Sequence, residues 1–401
     1  MLQRVFKAFQ YRDFRLMWMG ACTSSIGTWM QKLAQSWLVL QLSNDPLMLG
    51  LDSFLGQIPI FLFSLFGGVV ADRRDRRQLL IGSQIVQMTC AFVLAGLLFA
   101  GITEVWHILV LSFVTGMAQA FGGPAYQALI PRLVQPEDLP NAIAMNSIQF
   151  NLARVIGPAL GGLAMAKLGA TWCFSLNGVS FVAVIISLLM LRERHVPAET
   201  RQSIMESMNE GFTFIRSRPG MLPLIVLAFL MTFLGLPLLD FLPVFAKDVY
   251  QQGAETFTLM LSVSGAGAVA GALLVAGFGH IKQKGSMTLI IITVLGLLMV
   301  GFAFSTWVSL SCVFLFLCGA ALIACFAMIT SLVQLITSDS MRGRVMSVYN
   351  VAFRGGMPIG SLVAGALIKE YSAPVVIAAN GVLLVALGLY FIFVQRRVAT
   401  L

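Results

Sequence analysis

PLMLGLDSFLGQIPIFLFSLFGGVV at residues 46–70, ADRRDRR at 71–77 and QLLIGSQIVQMTCAFVLAGLLFA at 78–100 form one continuous stretch. A helix needs about 20 predominantly apolar residues to cross the hydrocarbon core of a bilayer. Each outer segment has that length, and the seven residues between them carry four arginines and two aspartates. With no water to satisfy backbone groups in lipid, only helices and closed barrels cross it, and runs this long are too long for barrel strands. The stretch reads as two membrane helices joined by a short basic turn.

The same pattern extends in both directions. Apolar runs occupy about 14–41, 46–70, 78–100, 105–128, 141–166 and 170–191, then 221–246, 256–279, 287–305, 309–336, 344–368 and 374–394. About twelve crossings are expected, numbered here as spans one to twelve. Composition agrees: 58% of the 401 residues are hydrophobic and only 11% charged. A soluble domain runs nearer 25% charged, so a water-coated enzyme is excluded. The six cysteines lie inside apolar runs without a CxxC pair, and His107, His195 and His280 are scattered. Neither a disulfide framework nor a metal site is expected, and no cleavable leader is expected at the N-terminus.

The net charge of +9 sits in clusters between the runs, such as Arg73, Arg74, Arg76 and Arg77, or Arg396 and Arg397. Cytoplasmic loops of membrane proteins collect Lys and Arg in this way, so nucleic acid is not an expected partner. Of the 26 basic residues, Lys32, Arg154 and Arg354 fall within spans. Lys167, Lys247 and Lys369 fall on one set of loops and the rest on the other set, with both termini. The expected location is the cytoplasmic (inner) membrane, multi-pass, with both termini cytoplasmic. Residues 192–219 are the one sustained polar stretch, read as a cytoplasmic linker in which about 203–216 forms an amphipathic helix. It separates residues 1–191 from 220–401, six spans each.

The halves echo one another. Ser147, Arg154 and Pro158 of span five return as Ser347, Arg354 and Pro358 of span eleven, and Asn177-Gly178 returns as Asn380-Gly381. Parallel repeats of this kind place a substrate site near the membrane midplane. The expected fold is an all-α membrane protein of two pseudo-symmetric six-helix bundles.

Five charges lie inside the spans: Lys32, Asp52, Arg154, Asp240 and Arg354. Each costs about 2.5–3.5 kcal/mol at the membrane centre, so such groups face a bundle interior or a watery cavity. Thr28, Lys32 and Gln35 share one face of span one with Gln31 beside them, and Asn151 and Arg154 repeat the pattern in span five. These polar stripes read either as a cavity wall or as a hydrogen-bonded seam between helices. Further cavity candidates are Gln57, Gln119, Tyr126, Thr330, Ser331 and Gln334. Asp52 lies roughly 9 Å inside span two at 1.5 Å per residue. Desolvation disfavours a charged carboxylate while a nearby ammonium favours it, so a carboxylate moved between two such settings carries a proton. Asp52 and Asp240 are the proton-coupling candidates, with Lys32 as the electrostatic switch. A permanent Lys32–Asp52 ion pair is the alternative.

Gly68-Val69-Val70-Ala71-Asp72-Arg73-Arg74-Asp75-Arg76-Arg77 resembles the signature loop of the major facilitator superfamily, with Asp75 where many members have glycine. Ala153-Arg154-Val155-Ile156-Gly157-Pro158-Ala159-Leu160-Gly161-Gly162 resembles its antiporter motif in span five, with Ala153 in place of the first glycine. Gly27-Thr28-Trp29-Met30-Gln31-Lys32, Leu242-Pro243-Val244-Phe245 and Arg342-Gly343-Arg344-Val345-Met346-Ser347 narrow the likeness to the drug:proton antiporter-3 group. The resemblance implies a twelve-helix transporter. It also implies conformational roles for Gly68, Asp72, Arg73, Arg76, Arg77, Arg342 and Arg344, and a kinked span five built on Gly157, Pro158, Gly161 and Gly162. That helix is expected to pack on span eight, whose Gly265, Gly267 and Gly271 offer a small-residue surface.

The expected function is proton-coupled export of small amphiphilic molecules, of drug or siderophore type, by alternating access. No cofactor is expected beyond the proton gradient, since no GxxxxGK[ST] loop is present. Partners are a small-molecule substrate and the bilayer, and a monomer is the working expectation. The rivals are an importer or lipid-like flippase on the same fold, a membrane-embedded enzyme, and a non-transporting sensor. The enzyme reading lacks a mid-span histidine and any HExxH or GxSxG motif.

Overall fold

The computed structural model describes residues 6–192, 204–277, 283–338 and 341–399. His195 and His280, together with Glu193, Arg194, Glu199 and Arg201 of the central linker, lie outside them. Among the described residues there is no strand. The long helices are α1 (Arg12–Ser43), α2 (Pro46–Arg73), α3 (Arg76–Phe99), α4 (Val105–Leu129), α5 (Leu139–Leu168), α6 (Ala170–Leu189), α7 (Ile204–Ser217), α8 (Met221–Gly235), α9 (Ala254–Gly277), α10 (Lys284–Phe304), α11 (Val308–Ile336), α12 (Arg342–Glu370) and α13 (Ala373–Phe393).

Among the described residues, ten helical segments are long and apolar enough to cross a membrane. The 32-residue α1 and the 30-residue α5 are not among the ten although they are longer than most of them. They are the helices that carry Lys32 and Arg154, and polarity rather than length sets them apart.

The chain divides into two compact units, residues 1–43 with 55–201 and residues 44–54 with 202–401. In the first, α1 packs on α5 and α6, and α3 on α4 and α6. In the second, α8 packs on α12, α9 on α11, and α10 on α11 and α13. Close backbone approaches recur at matching places. A Cβ on Gly157 would collide with Trp29 of α1, and one on Gly161 would meet Met30. In the second unit, Cβ atoms on Gly356 and Gly360 would collide with the backbone of α8 at Phe229 and Phe233. Likewise Gly178 lies against Phe92 of α3, and Gly381 against Gly296 of α10. The Asn-Gly echo in the sequence therefore marks a helix contact made once in each unit. In a bilayer, where burial of apolar surface gains nothing between helices, such small-residue contacts carry the packing.

One expectation needs correction. The run 221–246 is not one helix: α8 ends at Gly235, single turns follow at Pro237–Asp240 and Leu242–Val244, and a wider π turn closes at Phe245–Val249. Pro237 and Pro243 have no N–H to bond the carbonyl four residues earlier. The carbonyl that Pro237 leaves free is that of Phe233, the group against which Gly360 packs. Broken backbone at membrane depth is tolerated where protein covers it, and residues from Pro237 to Ala246 are buried apart from Leu239. Gly157 and Gly161 pack against α1, and Gly267 and Gly271 of span eight close on Phe316 and Ala320 of α11.

Candidate functional site: polar groups of the membrane helices

The polar stripe of α1 separates into two functions. Gln31 and Gln35 bind neighbouring helices: the Asn177 amide donates to Gln31 Oε1 at 2.6 Å, and the Gln35 amide donates to Ser112 Oγ at 2.9 Å. Gln149 of α5 donates to the carbonyl of Ala21 and to Ser25 Oγ. These residues form a seam. Thr28 bonds only backward, to the Ser24 carbonyl, and is exposed.

Lys32 and Arg154 instead converge on one ring. The Lys32 ammonium lies 5.5 Å from the Trp29 ring centroid and the Arg154 guanidinium 5.3 Å from it. Phe150 meets the same ring edge-on at 6.2 Å. The register follows from helical spacing. Lys32 is three residues from Trp29, Phe150 and Arg154 are four apart, and Gly157 one turn on holds α5 against α1 at Trp29. Among the described residues, no hydrogen bond or ion pair engages the Arg154 or Arg354 guanidinium; Arg154 is half-buried and Arg354 exposed.

Asp240 is buried in the broken part of span seven, and Ser361 of α12 donates to its Oδ2 at 2.6 Å. Asp52 is also buried and belongs to the stretch 44–54 grouped with the second unit. In α11, the Thr330 hydroxyl pairs with the Tyr349 hydroxyl at 2.7 Å, while Gln334 is exposed. Gln119 accepts from Gln87 at 3.2 Å, Tyr126 donates to Asn146 at 2.6 Å, and Asn151 bonds back to Ser147. Gln57 is half-buried.

In the basic turn, Asp75 caps α3, its carboxylate accepting from the Arg77 and Gln78 amides. Aspartate at this position offsets the positive end of the helix, which accounts for the departure from glycine. Arg76 donates to the Ala71 and Ala128 carbonyls and Arg77 to those of Leu189 and Leu191. The two side chains thus cap the ends of α4 and α6, where carbonyls lack helical partners. Gly68 stands in open space and Arg73 is exposed; the Asp72 side chain lies outside the described residues. In the second unit, Arg344 pairs with Glu210 of α7 at 2.6 Å, and Gly211 lets α7 lie on the Arg344 backbone. Arg342 is exposed.

Sequence reasoning missed Ser361, Ser112 and the ring role of Trp29. The serines are single hydroxyls within apolar runs and give no signal of their own. Trp29 carried one, since Trp29 and Lys32 lie on the same helical face.

The family profile described as transmembrane secretion effector matches residues 4–400. Macrolide efflux protein A of Streptococcus pyogenes is 23% identical over 68% of this chain and 68% of its own length. The staphyloferrin A transporter of Staphylococcus aureus is 23% identical over 93% of this chain and 94% of its own. The crystal structure of the nucleoside transporter NupG aligns over 95% of this chain and 98% of its own, with a TM-score of 0.74 and 15% identity. A likeness at that identity speaks for the fold. An all-helical, multi-pass membrane chain with this profile along its length is a transporter rather than an enzyme, and it belongs to the transmembrane secretion effector family of the major facilitator superfamily.

Proposed function

We propose that the chain exports small amphiphilic molecules across the cytoplasmic membrane by alternating access, driven by proton influx. In this reading α1 and α5 cross the membrane with the other ten segments, and both termini are cytoplasmic. The observation that carries the proposal is Asp240: a buried carboxylate in a helix interrupted by two prolines, its Oδ2 accepting from the Ser361 hydroxyl of α12. Interrupted helices in transporters mark the sites of coupling ions and substrates, and an ionisable group at this depth is functional by default.

Asp240 and Asp52 are the proposed proton carriers. On protonation Asp240 becomes a neutral acid: the Ser361 bond loses its charge assistance, and the carboxyl gains a donor that needs an acceptor. That change couples the charge at Asp240 to the packing of α12. Lys32 is the proposed electrostatic switch. The relatives are a macrolide efflux protein and a staphyloferrin A transporter, which supports export of drug-type or siderophore-type molecules. The test is extrusion of fluorescent amphiphiles of either charge sign from energised cells expressing the chain, compared with cells carrying Asp240→Asn. Faster extrusion than in empty cells, lost in the variant, is expected. Accumulation driven inward, or no gradient for any probe, overturns the reading.

A further inference from the structure

The arginine of α5 states what kind of molecule the first unit receives. Arg154 lies at the middle of a 30-residue helix, where a guanidinium facing lipid is costly. It has five N–H donors and no acceptor capacity. Its guanidinium carbon lies over the Trp29 ring, 5.3 Å from the centroid, yet no hydrogen bond or ion pair among the described residues engages its donors. Phe150 is 51% exposed beside the same indole, and Thr28 on the adjoining turn is exposed. Gly157 brings Trp29 to this place, since any side chain there would force α5 off α1.

From this we infer that Trp29, Arg154 and Phe150 form a receptor for an anionic aromatic ligand: a carboxylate taken by the guanidinium edge, its ring set against the indole and phenyl. An Arg fork binds carboxylate in two parallel bonds, and its plane stacks on aromatic faces. A cationic ligand meets the like charge of Arg154 at this position. The inference rests on the export reading and deepens it, by assigning the substrate a negative charge and a ring.

The test is scintillation-proximity binding of tritiated 1-naphthoate to the purified full chain, beside tritiated 1-naphthylmethylamine, which has the same ring and opposite charge. Saturable naphthoate binding is expected, with the amine at least about tenfold weaker. Arg154→Gln lowers naphthoate affinity by about tenfold or more. Arg154→Lys retains the preference for the anion at reduced affinity, because the charge stays and the planar fork is lost. That variant, with gel filtration of each protein, separates a lost receptor from a misfolded chain. No saturable naphthoate binding, equal binding of the amine, or affinity unchanged in Arg154→Gln overturns the inference. The two readings fail separately. Extrusion of any probe without naphthoate binding leaves the export reading standing and removes the receptor; naphthoate binding without extrusion of any probe does the reverse.

Discussion

Gly157 holds together the two halves of the cation–ring cluster, and replacing it with alanine has a calculable effect. An ideal Cβ at this position lies 2.8 Å from the Ile26 carbonyl oxygen and closer still to Trp29 Cβ, whereas ordinary contact begins at 3.4 Å. The shortfall is therefore at least about 0.6 Å, against a helix backbone that cannot swing aside. Either α5 moves away from α1, or the two helices twist and leave voids at Gly161 and Met30. Overpacking of this kind costs about 1–3 kcal/mol. At about 2–4 °C per kcal/mol for a unit of this size, Gly157→Ala lowers the melting midpoint by roughly 2–12 °C. Gly68→Ala is the matched control, because nothing lies within 4 Å of a Cβ there and alanine favours a helix by about 1 kcal/mol. The assay is thermal unfolding of the purified protein in one detergent, followed by thiol-reactive dye at the buried cysteines. Equal midpoints for Gly157→Ala and Gly68→Ala would refute the packing argument, and with it the structural basis of the Arg154–Trp29 stack.

Asp138 accepts from Lys7 and from the Tyr11 hydroxyl, which together hold its carboxyl below the ordinary carboxylate range against some desolvation. A depressed folded value means the stabilisation is complete above the unfolded value of about 3.9 and is lost as pH falls through the folded one. The hydrogen-exchange protection of residues 7–15, corrected for intrinsic exchange at each pH, should therefore be level from neutral pH to about 5 and fall below about 4, whereas Asp138→Asn is less protected from neutral pH to about 4; a wild-type profile identical to the variant's refutes this. Gly211→Leu should release α7 from α12 and speed trypsin cleavage at Arg216, because its side chain would collide with the Arg344 carbonyl; unchanged cleavage contradicts the docking. Asp45 and Lys369 pair at 2.7 Å with half of the lysine side chain exposed, so a double-mutant cycle to alanine should give a coupling below about 1 kcal/mol, and a value of several kcal/mol would mean the pair is far better shielded than its geometry indicates.

The helices were legible because apolar length is a one-dimensional signal: the run 78–100 becomes α3 and 170–191 becomes α6 with ends shifted by a few residues. The break in span seven was not read, since Leu236-Pro237 and Leu242-Pro243 leave hydropathy unchanged while removing two backbone donors. Asn44–Phe54 opens α2 yet groups with the second unit, and nothing local to those residues announces it. In the stripe of α1, composition could not separate Gln31 from Lys32. One finds Asn177, 146 residues away, and the other the ring of Trp29. Asp240 was found by its cost in lipid, but its partner Ser361 is an ordinary serine until the fold brings it within 2.6 Å.

The claim that buried carboxylates carry the coupling proton is tested most directly in proteoliposomes containing the purified chain, with an imposed pH gradient and an interior pH dye. Proton movement on addition of a transported substrate is expected for the wild type and absent for Asp240→Asn, which should still exchange substrate across a membrane without a gradient. Full substrate-linked proton movement in Asp240→Asn and in Asp52→Asn alike would contradict the account.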